Sequence, residues 1–347
     1  MCGPVSAVHN RSPFQCARRL TSSGEQLVLM STPRALSVLW LATFSIAACS
    51  VQEANLSDSV VTRVIVPSHT SPAIVPTVGD HFVALGPAVS RIGTLLVYYP
   101  GTQGRPDQYS ALLRRAAALG YHAIGLAYDN TASINFDICP GQPETCHEDA
   151  RLEILLGIES GYSPPNVNPE NAVFERLFRL LQYLNQRWPD EGWGAYLETS
   201  GALEWSRIAF GGHSQGGGHA AMTAKLHSVA RVLLFDATEP VAWTTAVLET
   251  PSDRFFGFVH AREPLYEPIT TSWENLRIPG VLTSTDAALA PYNSHRLSTA
   301  VLVCNGPPTD PAYYHNCPVV DDFLPLTDSG VPQFQPVWDY MLTAPAP

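Results

Sequence analysis

Residues 207–218 read Arg-Ile-Ala-Phe-Gly-Gly-His-Ser-Gln-Gly-Gly-Gly, and this is the most informative stretch of the chain. A short apolar run ends at Phe210, and the pentapeptide from Gly212 to Gly216 then fits the pattern G-x-S-x-G. In that pattern a serine occupies a strained turn between a strand and a helix, and small neighbours let the backbone pack closely. Because small residues continue beyond Gly216, we expect a helix to begin there, with Ser214 over its amino end. The stretch therefore predicts a serine nucleophile at the carboxyl edge of a sheet.

The rest of the chain alternates apolar runs with helical stretches. The continuous apolar run Leu-Leu-Val-Tyr-Tyr indicates a strand buried on both faces, and apolar residues at helical spacing after Pro169 indicate an amphipathic helix. Predicted strands cover residues 94–99, 122–128, 207–210, 231–235, 254–260 and 300–303, with an edge strand near 60–66. This alternation predicts an α/β fold with a doubly wound, mostly parallel sheet. Residues 129–168 are irregular and are expected to form a small cap-like insertion.

The composition excludes several classes of function. The chain has 347 residues, of which 45% are hydrophobic, so it can bury a large core. Its 20 basic residues against 31 acidic ones give a net charge of −11, whereas a nucleic-acid-binding protein needs clustered positive charge. Lys225 is the only lysine in the sequence. Schiff-base, P-loop and kinase chemistry each need a placed lysine, so most chemistry of these kinds is excluded.

The amino-terminal segment predicts export. Residues 35–48 form an apolar run that has the length of a signal-peptide core and is too short to span a bilayer. The run ends at Cys49 in a sequence that looks like a bacterial lipobox, in which the cysteine is lipidated; an ordinary secretory signal is the alternative. The expected locations are the periplasm or outer membrane, as a lipoprotein, and the medium, as a secreted protein. The predicted organisation is an upstream extension plus signal peptide over 1–49, a polar tether with an edge strand over 50–80, and the main domain over 81–347.

Four cysteines lie outside that leader: Cys139, Cys146, Cys304 and Cys317. Thiols in an oxidising compartment form disulfides, and four cysteines allow three pairings. We favour the local pairing, Cys139–Cys146 and Cys304–Cys317, because it closes two short loops. The chain has no C-x-x-C pair with nearby histidines, so no metal site is predicted.

A serine hydroxyl becomes a good nucleophile when a histidine takes its proton and a carboxylate holds that histidine. In the chain order typical of a G-x-S-x-G site, an acid and then a histidine follow Ser214. We favour His315 as the base, because it lies in a loop just after the last predicted strand, and His295 is the alternative. Glu263 is favoured as the acid because it closely follows a predicted strand. Asp236, at the end of the preceding predicted strand, is the alternative acid.

The negative charge that develops on the substrate oxygen needs two backbone N–H donors, which together form an oxyanion hole. One donor is expected from Gln215, the residue after the nucleophile. The other is expected from the glycine-rich loop that follows the predicted strand 94–99. Thr102 is favoured in that loop, and Gln103 is the second choice.

These residues together resemble the α/β-hydrolase superfamily, and the resemblance covers most of residues 80–345. It is strongest to an exported, esterase-like branch of that superfamily. The recurring motifs, as they stand here, are PGTQGRP at 100–106, RLEILLG at 151–157, GHSQGGGHA at 212–220, FFGFVHAREP at 255–264 and SHRL at 294–297, followed by His315 and Asp321.

The resemblance implies a serine hydrolase that cleaves carboxylic esters and uses neither cofactor nor metal. Its partner would be a small-molecule or polymeric ester, without nucleic acid, and contact with a membrane would come only through the lipid anchor. Ile134, Phe136 and Tyr162 in the cap-like insertion suit an apolar or aromatic substrate. Peptidases, acyltransferases and polyester depolymerases also have this fold, so each of these activities is an alternative for this protein. A further alternative is a lipoprotein that uses the fold for binding without catalysis. These alternatives remain open at the level of sequence.

Overall fold

The apolar runs assemble into a single mixed sheet in a computed structural model of the protein, which describes residues 59–345. Residues 1–58, with the predicted signal peptide and Cys49, lie outside the described residues. The strands are β1 (Val61–Ile65), β2 (His81–Leu85), β3 (Leu95–Tyr99), β4 (His122–Gly125), β5 (Ile208–His213), β6 (Arg231–Phe235), β7 (Phe255–His260), β8 (Thr283–Ser284) and β9 (Arg296–Thr299).

The sheet is mostly parallel, as the sequence predicts. Its strand order is β1-β2-β4-β3-β5-β6-β7-β9-β8. The first two strands are antiparallel to their neighbours, and the seven from β3 to β9 run parallel to one another. The α/β class is therefore confirmed. Because parallel strands end at one edge, the loops that follow β3, β5, β6 and β7 meet at the carboxyl edge of the sheet.

Helices cover both faces of the sheet. They are α1 (Ser110–Ala118), α2 (Cys146–Leu156), α3 (Val173–Arg187), α4 (Gln215–Leu226), α5 (Tyr266–Asn275), α6 (Tyr313–Asn316) and α7 (Gln335–Thr343). Successive residues of β3 point to opposite faces, so Val97 packs in the core under α3 and α4 while Leu96 packs in the core under α1 and α7. Because both faces of β3 are buried, every residue of this strand is apolar or aromatic.

Several strands differ from the sequence prediction. β4 ends at Gly125, whereas the predicted strand reached residue 128, and β5 continues to His213, whereas the predicted strand ended at residue 210. The predicted strand 300–303 is wrong, because the pairing with β7 is made by the four residues before it, in β9. Leu302 and Val303 instead lie exposed in a loop, at 61% and 75%. The fully buried strand β2 and the two-residue strand β8 were missing from the prediction. An apolar run shows that a segment suits a strand, but pairing partners decide whether it becomes one.

Both local disulfides are present. Cys139 pairs with Cys146 and Cys304 pairs with Cys317, each with the two Cα atoms 5.7 Å apart. The local pairing favoured from the sequence is thus confirmed. In the part of the chain that the structure describes, no helix is both long and apolar enough to span a membrane.

Candidate active site

Ser214 occupies a strained turn between β5 and α4. Its backbone has φ +54° and ψ −126°, a combination that a residue with a side chain rarely adopts. The turn is held in place because the Ser214 N–H donates to the carbonyl oxygen of Phe235 at 3.0 Å. Strain of this kind persists only where the surroundings over-determine the backbone, and it clusters at active sites.

The two glycines of the G-x-S-x-G pentapeptide are required by close backbone contacts. A Cβ atom on Gly212 would lie 2.3 Å from the carbonyl atoms of Gly216, and one on Gly216 would lie 2.1 Å from the carbonyl oxygen of Tyr99. Neither position can hold a side chain unless the backbone moves. The pentapeptide therefore brings β5, the start of α4 and the end of β3 together around the serine.

Glu263 and His315 form a hydrogen-bonded pair beside this turn. Glu263 Oε2 lies 3.0 Å from His315 Nδ1, and Oε1 accepts from the N–H of Leu265 at 2.8 Å. Because a carboxylate only accepts, Nδ1 of His315 carries the proton and Nε2 is left as the proton acceptor. Glu263 is almost fully buried, whereas the His315 side chain keeps 18% exposure. This is the arrangement of a carboxylate that orients a histidine base.

The segment that carries His315 is anchored at both ends. We name residues 304–317 the base loop; it includes the short helix α6, so His315 lies on a helical turn and not in the irregular loop that the sequence predicted. The Cys304–Cys317 disulfide closes it, and the Tyr313 hydroxyl bonds both backbone polar groups of Cys304, at 2.7 Å to the N–H and 2.6 Å to the carbonyl oxygen. These contacts restrict movement of the backbone on either side of His315.

Backbone N–H groups are available at both predicted oxyanion positions. Within residues 59–345, the N–H groups of Thr102 and Gln215 have no protein acceptor. The N–H of Gln103, the second choice, donates to the carbonyl oxygen of Asn130 at 2.8 Å and is already occupied. Geometry therefore favours Thr102 over Gln103. The Asn130 side chain also braces this loop, since its Nδ2 donates to the carbonyl oxygens of Gly101 at 2.6 Å and Gly104 at 2.9 Å.

A cavity of about 690 Å³ brings these groups together. Ser214, Glu263 and His315 line it, along with Thr102 and Gln215. Its apolar wall contains Ile134, Phe136, Leu265, Ile269, Val320 and Phe323, and its polar wall contains Arg151, Asp236, Thr238 and Glu239. Tyr162, the third side chain expected here from the sequence, is not among the lining residues and packs on the core instead.

The two alternative residues lie in different environments. Asp236 lines the cavity, but it is fully buried and its Oδ1 accepts from the backbone N–H of His260 at 2.9 Å. Burial raises the pKa of Asp236 well above its ordinary value, which favours the neutral form of this carboxyl. His295 precedes β9 and therefore lies at the amino edge of the sheet, where its ring stacks on Phe256. The cavity and Ser214 are at the opposite edge.

The side chain of Gln215 has a role that the sequence does not reveal. Its Oε1 accepts from the N–H of Ile134 at 2.8 Å and its Nε2 donates to the carbonyl oxygen of Ala132 at 3.2 Å. It thereby attaches the cap-like segment to the start of α4. Arg151 also contacts this residue, because its Nη1 donates to the Gln215 carbonyl oxygen at 3.1 Å. Nη2 of Arg151 forms an ion pair with Glu239 at 2.5 Å.

Potential metal ligands are close together at one place in the described part of the chain. His260, Cys304 and Cys317 have ligand atoms within 4.8 Å of one another. The two cysteines are joined to each other, however, so their sulfur atoms are not free thiolates. The His260 ring is also bonded on both sides, to the carbonyl oxygen of Val301 and the N–H of Arg262.

Comparison with known proteins assigns no family. No protein-family model matches the chain, and no curated protein matches its sequence significantly.

Proposed function

We propose that this protein is a serine hydrolase with the α/β-hydrolase fold, and that it cleaves carboxylic esters through an acyl-enzyme on Ser214. The observation that carries the proposal is the Glu263–His315 hydrogen bond in the cavity that Ser214 also lines. Three further features support it: the turn at Ser214 follows a central strand, the loop after β3 offers a free N–H, and the chain order is serine, acid, histidine.

In the first step, Ser214 Oγ attacks the acyl carbon while His315 Nε2 takes the hydroxyl proton. Glu263 stabilises the imidazolium that forms and keeps the ring in the tautomer with a proton on Nδ1. The N–H groups of Gln215 and Thr102 stabilise the negative charge on the tetrahedral oxygen. The bond to the leaving oxygen then breaks, and His315 gives its proton to the departing alcohol.

In the second step, water attacks the acyl carbon as His315 takes one of its protons. The bond from the acyl carbon to Ser214 Oγ breaks, and the proton returns to Oγ. The products are a carboxylic acid and the regenerated serine, so atoms and charge balance without any cofactor. An alcohol in place of water would make the same site an acyltransferase.

The cavity suits an ester of moderate size with an apolar portion. Its volume of about 690 Å³ falls within the range of small-molecule sites. Phe136 lies at 69% exposure and lines the cavity, so the apolar wall begins at the surface. The buried ion pair of Arg151 with Glu239 places polar groups in the same cavity.

The proposal is tested by ester hydrolysis with the purified protein. A panel of nitrophenyl esters that varies the acyl chain is hydrolysed by wild type, Ser214→Ala and a surface control, Ser200→Ala. The proposal expects turnover by wild type and the control and loss of turnover in Ser214→Ala. Equal turnover in all three proteins would contradict it.

A further inference from the structure

A series of three hydrogen bonds links the loop after β3 to the segment that carries His315, through His213, the residue before Ser214. The N–H of Gly101 donates to the Tyr109 hydroxyl oxygen at 3.2 Å, and the Tyr109 hydroxyl lies 3.0 Å from Nδ1 of His213. Nε2 of His213 lies 2.9 Å from the main-chain carbonyl oxygen of His315. The series therefore begins next to Thr102 in the oxyanion loop, residues 100–106, and ends on the backbone of the predicted base.

The end groups of this series determine where every proton lies. Gly101 N–H can only donate, so the Tyr109 oxygen accepts; the carbonyl of His315 can only accept, so Nε2 of His213 carries a proton. Nδ1 of His213 is then the acceptor for the Tyr109 O–H. A neutral imidazole with its proton on Nε2 satisfies all three bonds. A second proton on Nδ1 would leave the Tyr109 O–H without an acceptor.

The surroundings keep His213 neutral. The side chains of Tyr109 and His213 are almost fully buried, and the His213 ring lies 4.6 Å from the His315 ring, centre to centre. Burial lowers the pKa of His213 well below its ordinary value, and the charge on His315 lowers it further. When His315 becomes positive during the reaction, the neighbouring imidazole therefore stays uncharged and keeps its bond to the His315 backbone.

We propose that Tyr109 and His213 are positioning residues, which hold the oxyanion loop and the base loop in register across Ser214. Neither side chain takes part in bond making. Through them, the loop that carries the Thr102 N–H and the backbone that carries the His315 ring are tied to one rigid turn. This inference rests on the proposed hydrolase function and adds residues to it.

The test interrupts this series of hydrogen bonds at two different places. Tyr109→Phe removes the hydroxyl and keeps the ring. His213→Asn places an amide oxygen near the position of Nδ1 and removes the donor to His315. Tyr98→Phe is the matched control, since Tyr98 packs on Tyr109 with ring centres 4.9 Å apart and its buried hydroxyl has no partner among the described residues.

We expect each single variant to lower kcat by about 10- to 100-fold, because a misplacement on the order of 1 Å costs about that much, while KM changes little. The double variant is expected to fall no further than the worse single one, since both changes interrupt one series of hydrogen bonds. Tyr98→Phe should keep the wild-type kcat. Thermal unfolding and fluorophosphonate labelling of each variant accompany the kinetics.

Single variants with wild-type kcat, or losses that multiply in the double variant, would overturn the inference. If His213→Asn fails to fold, Tyr109→Phe alone decides through its kcat and KM. A wild-type protein that neither labels nor turns over esters contradicts the proposed function itself. An active wild type with unaffected variants contradicts only the positioning role.

Discussion

Glu263 and His315 stand 52 positions apart in the chain, yet Glu263 Oε2 lies 3.0 Å from His315 Nδ1. One residue follows β7 and the other lies in the disulfide-closed loop after β9. The pairing joins two segments at the carboxyl edge of the sheet, where Ser214 follows β5. A buried carboxylate with both oxygens accepting hydrogen bonds is well suited to fix a histidine tautomer.

The choice of acid can be tested by two isosteric substitutions. Glu263→Gln should lower kcat by roughly 10³- to 10⁴-fold, because an amide can stabilise the wrong tautomer and carries no charge to stabilise the imidazolium. Asp236→Asn should stay close to wild type, since His315 bonds to Glu263 and the new amide oxygen can still accept from the His260 N–H, as Asp236 Oδ1 does. Steady-state kinetics on one ester substrate measure both. A larger loss of kcat in Asp236→Asn than in Glu263→Gln would show that Asp236, directly after β6, is the acid.

Asp321 predicts a pH dependence of folding stability. Its carboxylate accepts from the Ser110 hydroxyl at 2.5 Å and from the Ala111 N–H, at the start of α1. Burial raises the pKa of Asp321 to about 6 from 3.8, although these hydrogen bonds lower it. Between about pH 4 and pH 6 the folded protein thus binds more protons than the unfolded chain, so this group makes stability fall as pH rises.

Asp321→Asn should remove that slope and keep an acceptor for α1. The expected difference in the pH dependence is on the order of 2 kcal/mol between pH 4 and pH 7. Urea unfolding at a series of pH values measures it, with Asp328→Asn as a control at an exposed carboxylate. Parallel curves for wild type and Asp321→Asn would contradict the burial argument.

The two disulfides should have different functional effects. The two disulfides close short loops, with sequence separations of 7 and 13. A disulfide across such a loop stabilises a protein by about 3 kcal/mol, so replacing either pair of cysteines by serines should lower the midpoint of urea unfolding. Cys304→Ser with Cys317→Ser should also lower kcat, because it releases the base loop. Cys139→Ser with Cys146→Ser should chiefly raise KM, since the segment before it contributes Ile134 and Phe136 to the cavity wall. Equal effects on kcat would show that the base loop does not depend on its disulfide.

The local features of the site were predictable from the sequence. The pentapeptide around Ser214 specifies a strained turn through two glycines, and each is required by a contact shorter than 3 Å. The cysteine pairs are separated by only 7 and 13 positions, so pairing needs no knowledge of the fold. The mostly parallel sheet follows from the alternation of apolar runs and helices.

Features that depend on distant contacts were not predictable. His213 occupies the variable position of the pentapeptide, and its bond to His315 spans 102 residues. The sequence favours Thr102 over Gln103, but the contact that separates their N–H groups, from Gln103 N–H to the carbonyl oxygen of Asn130, involves a residue beyond the next strand. The position of β9 also depends on a distant contact. Residues 296–299 form the strand because they pair with β7, although the residues that follow them are more apolar.

The most direct measurement is labelling of the purified protein with a fluorophosphonate probe, with the modified peptide identified by mass spectrometry. The probe reacts preferentially with activated serines, so we expect an adduct on Ser214 in wild type. We expect no adduct in Ser214→Ala and strongly slowed labelling in His315→Ala. A folded wild-type protein that stays unlabelled, or that is labelled at another residue, would contradict the hydrolase assignment.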